Sequence, residues 1–146
     1  MCENKMTLSF LAVSENESFA RSAVAAFCLG LNPTIEEIGD IKTAVSEAVT
    51  NSIVHGYGNS GKGFVTITVA VNGETVTIKI ADEGKGIDDV SKAMQPFFTS
   101  GDIEERSGMG FTVMQAMMDE VNVESQPKSG TTVFMKKIIG SGVRDA

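Results

Sequence analysis

Hydrophobic positions recur in two rhythms along the chain, and each change of rhythm marks an element. Met6 to Val13 alternates loosely and predicts a first strand. At Ser14-Glu15-Asn16-Glu17, which has capping-box spacing, the pattern turns helical and runs to about Leu29. It places Phe19, Ala23 and Phe27 on one face, with Gly30 as the stop. Pro33-Thr34-Ile35-Glu36-Glu37 opens a longer helix by the same device, Thr34 capping the free amides and Glu37 reaching back. Ile38, Ile41, Val45 and Val49 form its core-facing stripe, while Glu47, Asn51 and His55 fall on roughly the other side, and Gly56 ends it.

A glycine- and asparagine-rich loop leads into two period-two runs, Phe64 to Val71 and Glu74 to Ala81. They flank Asn72-Gly73, whose chemistry predicts a type I′ hairpin turn. Periodicity then stops from about Asp88 to Gly108, and a loop of that length inside a compact domain points to a working lid. A helix from Gly108 to about Asp119 follows, then strands over Val121 to Ser125 and Thr131 to Ile139 around Pro127-Lys128-Ser129-Gly130. Hairpins in place of strand-helix alternation predict an α+β fold: two layers, a mostly antiparallel mixed sheet with helices on one face. The whole chain, 1–146, reads as one domain with a lid over about 88–108.

Composition changes this picture little. A hydrophobic share of 42% beside 21% charged residues is ordinary for a globular protein. The net charge of −7 argues against a nucleic-acid partner gripped through its phosphates. Cys2 and Cys28 suggest neither a disulfide framework nor a metal site. No signal peptide is visible, and the longest apolar stretch, Ala23 to Leu31, is too short for a bilayer, so a cytoplasmic protein without membrane contact is expected.

Candidate chemistry lies in separated pieces. Glu47 and Asn51 offer a base and a neutral oxygen; magnesium takes hard oxygen ligands and keeps waters, so one carboxamide plus phosphate oxygens can hold it beside a nucleotide. Asp82, ending a strand, can accept from the exocyclic amine of adenine, and Gly84 and Gly86 remove side chains that would bar the base from the backbone. Gly108 and Gly110 open a helix whose free amides favour phosphate. Each signal alone is weak, because Gly-x-Gly occurs in many turns. His55, the single histidine, fits a helix-end role as well as a ligand role. Phe97 and Phe98 read as lid packing, and Met94, Met109, Met114, Met117 and Met118 as adaptable filler.

Taken in order, Glu47-x-x-x-Asn51, Asp82-x-Gly84-x-Gly86, Gly108-x-Gly110 and Gly130-Thr131 resemble the N, G1, G2 and G3 boxes of the GHKL (Bergerat) ATP-binding family, which includes gyrase-type ATPases and histidine kinases. Ser14 to Arg21, Glu47 to Tyr57 and Glu105 to Phe111 are similar, more finely, to its anti-sigma serine kinases of spore-forming bacteria, and the resemblance runs from about Met6 to Lys137. It implies a Bergerat sandwich with an ATP lid, and ATP or ADP with Mg2+ as ligands. It implies Glu47 as catalytic base, Arg106 as the lid cation at the γ-phosphate, and Asn51 as the magnesium ligand. Asp82 is implied as adenine reader with Gly84 and Gly86 as its loop. Thr99, Ser107, Gly108, Met109 and Gly110 are implied as further nucleotide contacts, and Thr131 as an adenine-side hydroxyl. Arg21 is implied as the contact for partner proteins. The resemblance further implies a homodimer that withholds the sporulation factor sigma-F from RNA polymerase and phosphorylates an anti-anti-sigma factor on serine. The general-stress branch of the same kinases, and a sigma-binding module without catalysis, are the alternatives. Two departures stand out: Ser100-Gly101-Asp102 where relatives often carry Thr-Lys-Pro, and Lys85 where a small apolar residue is common.

Overall fold

The computed structural model describes residues 3–87, 89–94 and 110–140. Five strands, β1 (Asn4–Leu11), β2 (Phe64–Asn72), β3 (Thr75–Asp82), β4 (Glu120–Ser125) and β5 (Thr131–Ile138), form one sheet in the order β1-β2-β3-β5-β4. Every pairing in it is antiparallel. Val65, Ile67, Val69 and Val71 of β2 and Val76, Ile78 and Ile80 of β3 are buried, while the residues between them are partly or fully exposed. One face of the sheet is therefore covered, as period-two alternation requires. The covering layer is α1 (Glu15–Cys28), α2 (Ile35–Asn51) and α4 (Gly110–Met117), with a single turn α3 (Val90–Ala93) before the undescribed stretch. This is the expected two-layer α+β architecture.

Helix α2 is its centre. Ile41, Ala44, Val45, Ala48 and Val49 are fully buried, and burial of each valine or isoleucine side chain contributes about 1.5–3 kcal/mol. Its capping box forms in both directions: Glu37 N donates to Thr34 Oγ1 at 3.0 Å and Thr34 N donates to Glu37 Oε1 at 2.8 Å. The other oxygen of Glu37 accepts the amide of Gly140 at 2.6 Å, so the cap also pins the end of the chain's last strand. Lys137 Nζ completes this corner, donating to the last-turn carbonyl of Met117 at 2.7 Å and facing Asp40 at 3.4 Å. No helix among the described residues is long and apolar enough to cross a membrane.

Four expectations are corrected. The Ser14 box does not form: Ser14 adopts helical angles with no side-chain bond, because Glu17 is drawn away to Arg21 and Thr50. The buried face of α1 is Ala20, Val24, Ala25 and Cys28, whereas Phe19 is 56% exposed. The hairpin between β2 and β3 forms, but its turn is displaced by one residue. Asn72 pairs with Thr75, leaving Gly73-Glu74 at the centre with positive φ at Gly73 alone, the type II′ pattern. Helix α1 ends through a short tight turn over Leu29–Leu31 in which Asn32, not Gly30, takes the left-handed conformation.

Candidate functional site

The site gathers where α2 ends against the ends of β3 and β5. After Asn51 the helix widens into one π turn, Ser52–Gly56, and such turns inside helices are frequent at functional sites. The widened turn brings Ser52 against β3: Ser52 Oγ donates to Asp82 Oδ2 at 2.8 Å, and the amide of Gly84 donates to Asp82 Oδ1 at 2.9 Å. Asp82 is 6% exposed. Burial pushes its carboxyl above the ordinary aspartate range, and bonds from the Gly84 amide, the Ser52 hydroxyl and the Thr131 backbone pull it only part of the way back. A carboxylate has room for about four donors, so two bound oxygens still leave acceptor capacity for an amine.

The glycines here are required by close backbone approach. A Cβ on Gly84 would stand 2.1 Å from the carbonyl oxygen of Gly56, and the same carbonyl accepts the amide of Lys85 at 2.9 Å. A Cβ on Gly130, whose φ is +89°, would stand 2.2 Å from the carbonyl oxygen of Asp82. Gly86, at φ +78°, is wedged against the carbonyl of Gln126. A Cβ on Gly56 would press on the Asp82 carboxyl at 3.0 to 3.1 Å, so Gly56 keeps that group open as well as ending the helix.

Thr131 lies directly across the ladder from Asp82 and is buried. Its hydroxyl meets Ser125 Oγ at 2.8 Å, and Ser125 in turn accepts the amide of Ile87 at 2.8 Å. Asn51 is buried one residue before Ser52, and Glu47 is half-buried one turn earlier, about 7 Å along the axis from Ser52. Glu47 borders a groove of about 400 Å³ with Arg21, Gly39, Lys42, Thr43 and Ser46. Arg21 crosses from α1 into this groove, paired with Glu17 at 2.7 Å and 3.5 Å from Ser46 Oγ. Glu17 also accepts the hydroxyl of Thr50 at 2.9 Å, tying α1 to the turn that carries Asn51.

The structure thus brings Asp82, Gly84, Gly86 and Thr131 together with the Asn51 end of α2, and places Arg21 and Glu47 in one neighbouring groove. Gly110 is the buried first residue of α4. Thr99, Arg106, Ser107, Gly108 and Met109 lie outside the described residues.

The sequence is matched by known proteins. A model of the histidine kinase-like ATPase domain matches residues 11–137. The chain is 62% identical over 138 residues to an anti-sigma F factor of Thermoanaerobacter sp. (strain X514), covering 94% of this chain and 96% of that one. It is 58% identical over 137 residues to an anti-sigma F factor of Clostridium botulinum (strain Alaska E43 / Type E3), covering 94% and 96%. The chain belongs to the anti-sigma F factors of the histidine kinase-like ATPase family.

Two solved structures share the fold. One, of RsbU and RsbW domains from Mycobacterium tuberculosis, superposes with a TM-score of 0.69 at 18% identity, covering 93% of this chain and 32% of that one. The other, full-length ShkA in complex with AMPPNP, gives 0.53 at 20% identity, covering 68% and 21%. Among the described residues, two clusters of polar side chains stand out: the one around Asp82 and the groove at Arg21. Sequence reasoning missed Ser52, Gly56 and Ser125. Only Ser52 had a local signal, a hydroxyl directly after Asn51.

Proposed function

We propose that this anti-sigma factor binds Mg-ATP with Asp82 as the adenine contact, holds sigma-F away from RNA polymerase, and phosphorylates an anti-anti-sigma factor on serine. The observation that carries the reading is the buried Asp82 carboxylate, presented by Ser52 and Gly84 among glycines that admit no side chain. Such a floor suits a flat purine with an amine at its edge. The donor also fits the metal: a neutral carboxamide oxygen suits a magnesium ion that keeps waters and shares phosphate oxygens, so Asn51 would hold it that way. Bound there, magnesium supplies neutralisation of the charge on the phosphates.

The chain's own residues supply the rest. Asp82 orients the base. Glu47, one helical turn from Asn51, takes the proton as the serine oxygen bonds to the γ-phosphorus and the bond to the β-phosphate oxygen breaks, leaving phosphoserine and ADP. By the resemblance, Arg106 meets the charge at the γ-phosphate, and Thr99, Ser107, Gly108, Met109 and Gly110 complete the phosphate end. Arg21, beside Glu47 in the same groove, is the contact for both protein partners, so a docked antagonist lies near the base. The homodimer and the cytoplasmic setting belong to this proposal, as does the single-domain reading of 1–146. Incubation of the protein with labelled ATP and the anti-anti-sigma factor tests it. Serine-linked label on the antagonist is expected; sigma capture without any label would reduce the protein to a binding module.

A further inference from the structure

Tyr57 lies just past the π turn, outside the four boxes that mark the nucleotide site, yet it is bonded to the residue that follows Asp82. Its hydroxyl accepts the amide of Glu83 at 2.7 Å and donates to the carbonyl of Phe64 at 2.7 Å. Its ring lies on Gly63, where a Cβ would come within 2.5 to 2.9 Å of the ring carbons and where φ is +94°. Gly63 in turn gives its carbonyl to Ala12 N at 3.0 Å. One side chain therefore joins the exit of α2, the first residue of β2 and the residue that follows Asp82.

Three amides of the loop Glu83–Gly86 are held in turn. Its second residue is held by the Asp82 carboxylate, its third by the Gly56 carbonyl, and its first by the Tyr57 hydroxyl. Without the last of these, the peptide joining Asp82 to Glu83 keeps its sheet pairings but loses its hold on the loop side, and the loop whose Gly84 amide directs the carboxylate is freed at its first residue. Glu83 is exposed, so in the absence of the hydroxyl its amide bonds water, which gives it a partner but not a fixed position.

We infer that Tyr57 is a positioning residue for purine recognition, its hydroxyl fixing the backbone beyond Asp82 so that the carboxylate faces the exocyclic amine. The inference rests on the reading of Asp82 as the adenine acceptor. It predicts an effect on discrimination, not only on affinity. ITP carries an oxygen where ATP carries the amine, so a misdirected carboxylate weakens ATP and leaves ITP nearly untouched.

The test is titration calorimetry of ATP and ITP, each with magnesium, against wild type, Tyr57→Phe and Asp82→Asn, with circular dichroism reporting the folded fraction. Tyr57→Phe keeps the ring on Gly63 and removes only the hydroxyl. It is expected to weaken ATP about three- to tenfold while ITP changes far less, shrinking the ATP-over-ITP ratio. Gly63→Ala, which displaces the ring by another route, is expected to shrink the ratio in the same sense. Equal losses for both nucleotides, or none, in Tyr57→Phe beside a collapsed ratio in Asp82→Asn would overturn the role of Tyr57 alone. An unchanged ratio in Asp82→Asn would instead overturn the adenine reading beneath it.

Discussion

Ser52 Oγ stands 2.8 Å from Asp82 Oδ2 and donates to it, linking the end of the central helix to the end of the central strand through a buried contact. A hydrogen bond to a charged group contributes about 1.5–3 kcal/mol. Ser52→Ala is therefore expected to lower unfolding free energy by about that amount in urea titration and to weaken ATP binding at the same time. Unchanged stability would mean that the carboxylate needs no support from α2.

Asp82→Asn should separate stability from function. The folded-state pKa of Asp82 is raised, so the native protein holds this proton more tightly than the unfolded chain does. The associated stability is complete below the unfolded aspartate value, about 3.9, and is lost as pH rises through the folded one. At neutral pH the buried charge is thus a burden. Asparagine can still accept from Gly84 and donate to Ser52, so the variant is expected to melt at a higher temperature than wild type at pH 7. That gap should close towards pH 3, and ATP affinity should fall. A lower melting temperature at pH 7 would contradict the sign.

Glu37 predicts the opposite slope. Burial pushes its carboxyl up, but amides from Thr34 and Gly140 and the nearby Lys137 outweigh this and hold it below the ordinary glutamate range. Stability from this group is present above the unfolded value, about 4.3, and is lost as pH falls through the folded one. Glu37→Gln should cost about 1–2 kcal/mol at pH 7 and progressively less in acid. Chemical denaturation at pH 7 and pH 3 measures both.

Glu47→Gln is expected to keep nucleotide and sigma binding while serine phosphorylation falls by about 10²–10⁴. Single-turnover transfer from labelled ATP checks this, and undiminished transfer would remove Glu47 from the chemistry.

Arg21→Ala should leave the melting temperature within a few degrees of wild type, since a partly exposed pair such as Arg21–Glu17 contributes about 0–1 kcal/mol. Capture of the sigma factor and of the antagonist should both weaken. Unaltered capture of both in a pull-down would place the interface elsewhere.

Much of this was legible in the chain because its signals are local. Thr34 and Glu37 are three residues apart and close their box as their spacing says, and Val65 to Val71 alternate as a half-covered strand must. The identical spacing at Ser14 and Glu17 fails for a reason no local rule contains: Arg21 and Thr50 compete for the carboxylate, and Thr50 comes from another helix. Phe19 turns outward because the tight face of α1 admits only smaller side chains, Ala20, Val24 and Cys28. In the site, Asp82 and its glycines were legible as a motif. Ser52, Gly56 and Tyr57 were not, because their contacts join segments far apart in sequence.

The widened turn at Ser52–Gly56 makes residue count, and not only residue type, a requirement here. Deleting one residue would return the segment to ordinary α geometry and rotate everything after it by about 100°, carrying Gly56 off the carboxyl and Tyr57 off its two partners. The loop that follows, over Gly58 to Ser60, is exposed and is not held to helical phase. Insertions and deletions among descendants of this chain should therefore collect after Tyr57 and be purged before it, a frontier drawn by helical phase within a span of very few residues.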